Sequence, residues 1–305
     1  MGAGLSTWRG GVIDGPDPMI PVIPDDLDGE RSVGPVQLRY EDIVQDGRLS
    51  LLALPQGFGQ VVWPNLLDNP TALHVLQSGV LPILSRMVLE DGGGPVSFYE
   101  PLQADGAWHL AHVRGRDGEV ERIVLNYWTS LSGRSGHTLA GRPSDGAPVV
   151  HVGRAYAEHV FTRLLAPPGE RRITRLDAPG REPVPPSVWS WRRFEDVDRP
   201  ASASPLGEGA APVHFGVAHT DPNQHVNSLV YPRLFEDLAV RVLATLGSGP
   251  ILSRAAEIVW RKPFFAGESA TVALSAWRDE GKLGASGAFV DAEGRERARV
   301  VMRFG

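Results

Sequence analysis

The sequence predicts an α+β protein in which one plan is used twice: a strand, a long helix, then several antiparallel strands, with each sheet wrapped around its helix. Three observations predict it. Val230, Leu234, Leu238, Val242 and Leu246 recur every fourth residue, with Phe235, Ala239 and Leu243 beside them, the stripe of an amphipathic helix. Short apolar runs separated by turn residues follow that helix. The first half of the chain can be read with the same order of features.

Taken in order, residues 1–34 are rich in Gly, Pro and Asp and predict an extended arm. Runs over 37–44 and 49–54 flank Asp46-Gly47, a hairpin signal, and 60–63 reads as a short strand. Leu73, Leu76, Val80, Leu84 and Val88 predict a helix over 71–89, kinked at Pro82 and ended by Gly92-Gly93-Gly94. Strands are expected over 96–102, 108–114, 120–131 and 149–165, with Asp117-Gly118 turning between the second and third. Residues 166–211 read as a Pro-, Gly- and Ser-rich connection that packs through Trp189 and Trp191. The second half predicts a strand over 213–218, a helix over 228–246 stopped by Gly247, and strands over 255–264, 270–278, 283–290 and 296–304. The halves align when Leu81-Pro82 is set on Tyr231-Pro232, and when Gly118 with 123–125 is set on Gly294 with 299–301. The expected units are therefore an arm (1–34), a first domain (35–165), a linker (166–211) and a second domain (212–305).

Bulk properties remove several classes of function. The 305 residues are 42% apolar and 22% charged, an ordinary globular composition. With 30 basic and 36 acidic residues the net charge is −6, which argues against a nucleic-acid surface. There is no cysteine, so disulfides, thiolate nucleophiles and Cys-ligated metals are excluded. No apolar run reaches bilayer length and no signal peptide is visible, so no membrane partner and a cytoplasmic location are expected. His109, His112, His151 and His159 are scattered without metal-like companions, and no phosphate-cradling glycine loop or serine elbow is present. No metal is expected.

The chemistry concentrates in His219-Thr220-Asp221-Pro222-Asn223-Gln224-His225-Val226-Asn227-Ser228-Leu229-Val230-Tyr231. In an extended backbone alternate residues share a side, so Asp221, Asn223 and His225 are expected to face one cavity. A helix follows at once, and its unpaired backbone N–H groups can hold an oxyanion. A base, an amide and an oxyanion site together suit acyl transfer. Each residue also has a plainer reading. Asp221 before Pro222 suits a turn, His225 a backbone-bonded helix start, Asn223 a local cap, Asn227 an N-cap and Tyr231 a core position.

The plan together with Asp221, Asn223, His225, Val226 and Asn227 resembles the hot-dog-fold acyl thioesterases. It is most similar to the acyl-acyl-carrier-protein thioesterases and the 4-hydroxybenzoyl-CoA thioesterase-like group. Ser228 stands where the former carry a second Asn. The resemblance implies two tandem hot-dog domains forming a pseudo-dimer in one chain, with further pairing into a homo-oligomer left open. It implies hydrolysis of acyl-CoA or acyl-carrier-protein thioesters, with the phosphopantetheine arm belonging to the substrate and no other cofactor. Asp221 would be base or nucleophile, with His225 and Asn223 assisting and Asn227 and Tyr231 contacting substrate. The acyl chain would lie along the apolar side of the second helix, between the hot dogs. Two departures stand out. The motif lies in the second half, where the first is expected, and Pro263 stands near the place of a later Glu. Registering Pro82 on Pro232 sets Thr71, Leu73 and Val75 against the polar trio, which implies a catalytically empty first hot dog. An acyl-thioester hydratase or dehydratase, and a non-catalytic acyl-binding or scaffold protein, are the alternatives.

Overall fold

The structure, a computed structural model, describes residues 19–24, 31–247 and 251–305. The first half contributes β1 (Ser32–Val36), α1 (Trp63–Leu67), α2 (Pro70–Gln77), β2 (Leu81–Asp91), β3 (Leu102–Arg114), β4 (Val120–Arg134) and β5 (Val149–Thr162). The second contributes β6 (Ser204–His214), α3 (Val230–Thr245), β7 (Ser253–Trp260), β8 (Ser269–Asp279), β9 (Lys282–Val290) and β10 (Glu296–Phe304). All ten strands form one sheet in the order β1-β3-β4-β5-β2-β7-β10-β9-β8-β6. Read outward from the centre, each half gives its second, fifth, fourth, third and first strand. Two hot dogs thus stand side by side, joined by the antiparallel pair β2–β7 from Arg86↔Val259 to Glu90↔Ala255. A buried ion pair, Arg86 Nε to Glu257 Oε1 at 2.7 Å, crosses the same seam.

The second half follows its sequence pattern closely. α3 buries Tyr231, Phe235, Leu238, Ala239 and Leu243, so the flanking residues Phe235, Ala239 and Leu243 form the core stripe, while Val230, Leu234 and Val242 of the four-residue stripe are half-buried and Leu246 is exposed. β6 begins at Ser204, inside the stretch expected to be linker. Pro205 and Pro212 hid it. An outermost strand tolerates proline, because one row of its N–H groups has no partner strand to meet.

The first half departs further. The helix expected over 71–89 ends as α2 at Gln77, and Gly79 (φ +78°) turns the chain into β2. Asn69 caps α2 by accepting from the Thr71 and Ala72 amides, with Pro70 in the first turn. Met87, Val88, Leu89 and Glu90 of β2 are all buried, and a strand covered on both faces loses its two-residue alternation. Its apolar residues therefore also fit helical spacing. The strand expected over 60–63 is helix instead, π-helical over Phe58–Val62 and then α1, because Val61 and Val62 bury against the sheet. The hairpin around Asp46-Gly47 reduces to a turn with one bridge, Ile43↔Leu49, between 3-10 turns at Tyr40–Asp42 and Leu51–Ala53. Residues 96–101 are irregular, and β3 runs on unbroken from Leu102.

Connections cover the sheet face opposite the helices. Ile20, with Met19 and Ile23, packs on Val88, Trp128 and Tyr156, and the Trp128 indole donates to the Pro21 carbonyl at 2.9 Å. This part of the expected arm therefore belongs to the core, while 1–18 and 25–30 lie outside the described residues. Trp189 stacks near Tyr156, and Trp191 lies under the Arg122 guanidinium, as the connection's tryptophans predicted. Among the described residues no helix is long and apolar enough to cross a membrane.

Candidate active site

The motif forms a tight turn between β6 and α3, where an extended strand was expected. The Asp221 amide donates to the His225 carbonyl at 3.2 Å, and the Gln224 amide to the Asp221 carbonyl at 2.9 Å. Gln224 takes a positive φ of 65°. The turn, and not strand alternation, brings Asp221 and His225 together, with Nδ1 of the imidazole 3.9 Å from the Asp221 carboxylate. That exceeds hydrogen-bond length. Among the described residues His225 Nδ1 has no hydrogen-bond partner.

Asn227 reaches both sides of the turn. Its Oδ1 accepts from the Leu229 amide at 2.9 Å in the turn that leads into α3, and its Nδ2 lies 3.5 Å from Asp221 Oδ2. Asn223 is not drawn in. Its side chain is exposed at the tip, and its backbone amide donates to Asp221 Oδ1 at 2.9 Å. Tyr231 is 1% exposed and forms part of the core, not a pocket wall. Its ring lies among Phe215, Trp260, Phe264 and Phe289, and its hydroxyl accepts from the Phe264 amide at 3.1 Å. Burial pushes the phenol up to about 12.

Phe264 fixes the turn from below, since its carbonyl accepts from the Val226 amide at 2.8 Å. Arg297, which nothing in the sequence singled out, holds this support. Its guanidinium lies 4.5 Å from the Phe264 ring centre and donates to the Pro263 carbonyl at 3.2 Å, Glu268 at 2.9 Å and Asp291 at 2.9 Å. Pro263 does stand in this loop, and Glu268 is its carboxylate, tied to Arg297 and to the Phe265 amide at 2.8 Å.

The first half contains the same turn at a different place from the one the proline alignment gave. Ile43↔Leu49 matches the bridge Thr220↔Val226. The Val44 amide donates to the Arg48 carbonyl, the Gly47 amide to Val44 and the Ser50 amide to Asp42, as Asp221 does to His225, Gln224 to Asp221 and Asn227 to His219. Gly47 (φ +84°) takes the place of Gln224. Val44, Asp46 and Arg48, not Thr71, Leu73 and Val75, therefore stand opposite Asp221, Asn223 and His225. Arg48 is buried and paired with Asp46 and Asp91, and Arg254 of the second half joins Asp91 at 2.8 Å. The α1 segment, not 71–89, is the counterpart of α3.

A cavity of about 440 Å³ opens in the first half, away from the seam between the helices where an acyl chain was expected. Trp63, Leu66, Trp108, Leu110, Leu125 and Phe161 line it, and α2 and the connection over 176–186 close it. Pro82 lies in its wall. The β2–β7 pairing stops at Arg86↔Val259, at the end of β2 that carries Leu81 and Pro82 and the end of β7 from which the chain leaves toward Pro263 and Phe264. The cavity and the Asp221 turn thus lie toward the same end of the joined strands.

No protein-family model matches the sequence, and no curated protein matches it. Solved structures do match in fold. A Lactobacillus plantarum protein assigned as an oleoyl thioesterase is 14% identical, with a TM-score of 0.58 over 91% of this chain and 96% of that one. The 12:0-ACP thioesterase from Umbellularia californica is 10% identical, with a TM-score of 0.53 over 91% of this chain and 94% of that one. An acyl-ACP thioesterase from Bacteroides thetaiotaomicron is 14% identical, with a TM-score of 0.50 over 91% of this chain and 98% of that one. The chain has the double hot-dog fold of these proteins along nearly its whole length.

Proposed function

We propose that the protein hydrolyses acyl thioesters at the Asp221 turn, with the acyl group in the cavity of the first hot dog. The observation that carries this reading is a carboxylate braced by Asn227 beside a partnerless imidazole nitrogen, at the start of a buried helix. Asp221 takes a proton from water as its oxygen attacks the thioester carbon. Backbone N–H groups at the start of α3 stabilise the negative charge that develops on the carbonyl oxygen. Collapse breaks the C–S bond, and the proton passes by way of His225 to the departing sulfur. Direct attack by the Asp221 carboxylate uses the same geometry. Asn223 acts through its backbone amide, which orients Asp221. The first turn is catalytically empty, since Val44 and a buried, ion-paired Arg48 replace the base and its partner. The substrate carries a phosphopantetheine arm, from CoA or from an acyl carrier protein, and two structural neighbours described as acyl-ACP thioesterases favour the carrier.

Pro263, at the place of an expected carboxylate, favours a second reading in which the protein binds acyl groups without turnover. Thiol release from acyl-CoA and acyl-carrier-protein thioesters decides between them. Release that disappears in Asp221→Asn supports hydrolysis. No release from either carrier, with acyl binding intact, leaves the binding reading.

A further inference from the structure

Behind the cavity wall lies a buried polar pair that the hydrolytic site does not use. Tyr127 of β4 and His159 of β5 face the helices beneath the π-helical segment, their ring centres 4.7 Å apart. Tyr127 is 0% exposed and His159 7%. Trp63, a cavity-lining side chain, stands edge-on to both, 5.5 Å from Tyr127 and 6.3 Å from His159. Leu125, also in the wall, is the cross-strand partner of His159, and Phe161 follows two residues on, on the same face of β5.

Among the described residues, neither the Tyr127 hydroxyl nor His159 Nδ1 has a hydrogen-bond partner. Burial pushes the His159 imidazole down to about 4, so the ring is neutral and one of its two nitrogens is an acceptor. Burial pushes the Tyr127 phenol up, so it keeps its proton and can donate. A buried donor and a buried acceptor left side by side are costly unless something pairs with them. An alkyl chain pairs with neither. A ketone accepts from Tyr127 only. A carboxylate would bring an uncompensated charge into an apolar site. A hydroxyl accepts from Tyr127 and donates to His159.

We propose that the cavity takes acyl groups that carry a hydroxyl along the chain, read by Tyr127 and His159 behind Trp63. This rests on the reading of the cavity as an acyl site. Trp63, only partly buried, is the side chain that turns to admit the hydroxyl.

The test is direct binding, which does not depend on turnover. Dodecanoic acid and its isomers hydroxylated at successive carbons of the distal half compete with a fluorescent fatty acid on the full chain. The expected result is one or more isomers binding about ten-fold or more tighter than dodecanoic acid, because a site built to bond a hydroxyl rejects the analogue lacking it. Tyr127→Phe should erase that advantage while leaving dodecanoic acid binding unchanged. His159→Phe, which keeps an aromatic ring, serves as the second variant should the first fail to fold. Binding of all acids with no hydroxyl preference overturns this proposal alone and marks the pair as the seat of a buried water. A preference that survives both variants also overturns it. Failure of every acid to bind overturns the acyl cavity as well.

Discussion

The turn at 221–227 and the turn at 44–50 have the same backbone and opposite chemistry. Both are closed by the same amide-to-carbonyl bonds, both hold a positive φ at the fifth position after the preceding 3-10 turn, and both open into a helix under the sheet. In the turn at 221–227, Asp221 and a half-open His225, whose Nδ1 has no hydrogen-bond partner among the described residues, stand where the turn at 44–50 has Val44 and an Arg48 sealed into ion pairs with Asp46 and Asp91. The fold therefore does not dictate the chemistry of the turn. One copy carries the groups we propose to be reactive, and the other is a clamp that reaches Arg254 across the seam.

The largest expected effects break this comparison at its reactive side. Asp221→Asn should lower thioester turnover by about 10³-fold or more with little change in melting temperature, since loss of a positioned base removes about 10²–10⁴-fold. His225→Ala should cost about 10²-fold in kcat, also with little loss of stability, because its Nδ1 makes no hydrogen bond among the described residues. At the clamp the order reverses. Arg48→Met strips one partner from a buried pair and should destabilise by about 3 kcal/mol in urea unfolding. Equal destabilisation by His225→Ala would remove the distinction between the two turns.

A smaller effect is a pH dependence that His159 of the first hot dog should contribute. His159 is held down to about 4 by burial, below its value in the unfolded chain. Between about 6.5 and 4 the unfolded state takes up the proton and the folded state does not, so stability should fall as pH falls through that window, by up to about 3 kcal/mol. Chemical denaturation of His159→Phe should lack this slope. The smallest effect is at Asn223→Ala. The exposed side chain should matter less than about three-fold in turnover, whereas an Asn223→Pro change, which deletes the amide that bonds Asp221, should approach the loss seen in Asp221→Asn.

The contrast between the halves also explains what the sequence disclosed. In the second half α3 was legible from its spacing, β8 keeps one wetter face, and β7, β9 and β10, though buried in runs, were legible as short apolar segments between turn residues. β6 was hidden by prolines that an edge strand tolerates. In the first half the arm and the connection cover the outer face, so Met87 to Glu90 lost their alternation and β2 read as helix. The repeat was legible in kind but not in register. Pro82 sits in a strand and Pro232 in a helix, whereas the matching features are the turns at Asp46-Gly47 and Asn223-Gln224. The site residues were legible as a group. Their geometry was not, because Asp221 and His225 meet through a backbone reversal that residue spacing alone does not reveal. Arg297 left no local signal, since its support of the turn depends on Pro263, Phe264 and Glu268, in a loop far from it in sequence.

The most direct test of the account is to compare the loss of one aspartate from each turn, Asp221→Asn and Asp46→Asn, by thiol release from a long-chain acyl thioester at equal folded fraction. The account predicts that the first abolishes release and the second leaves it within about two-fold. Release that survives Asp221→Asn, or that is lost in Asp46→Asn, would contradict the assignment of the reactive turn to the second hot dog.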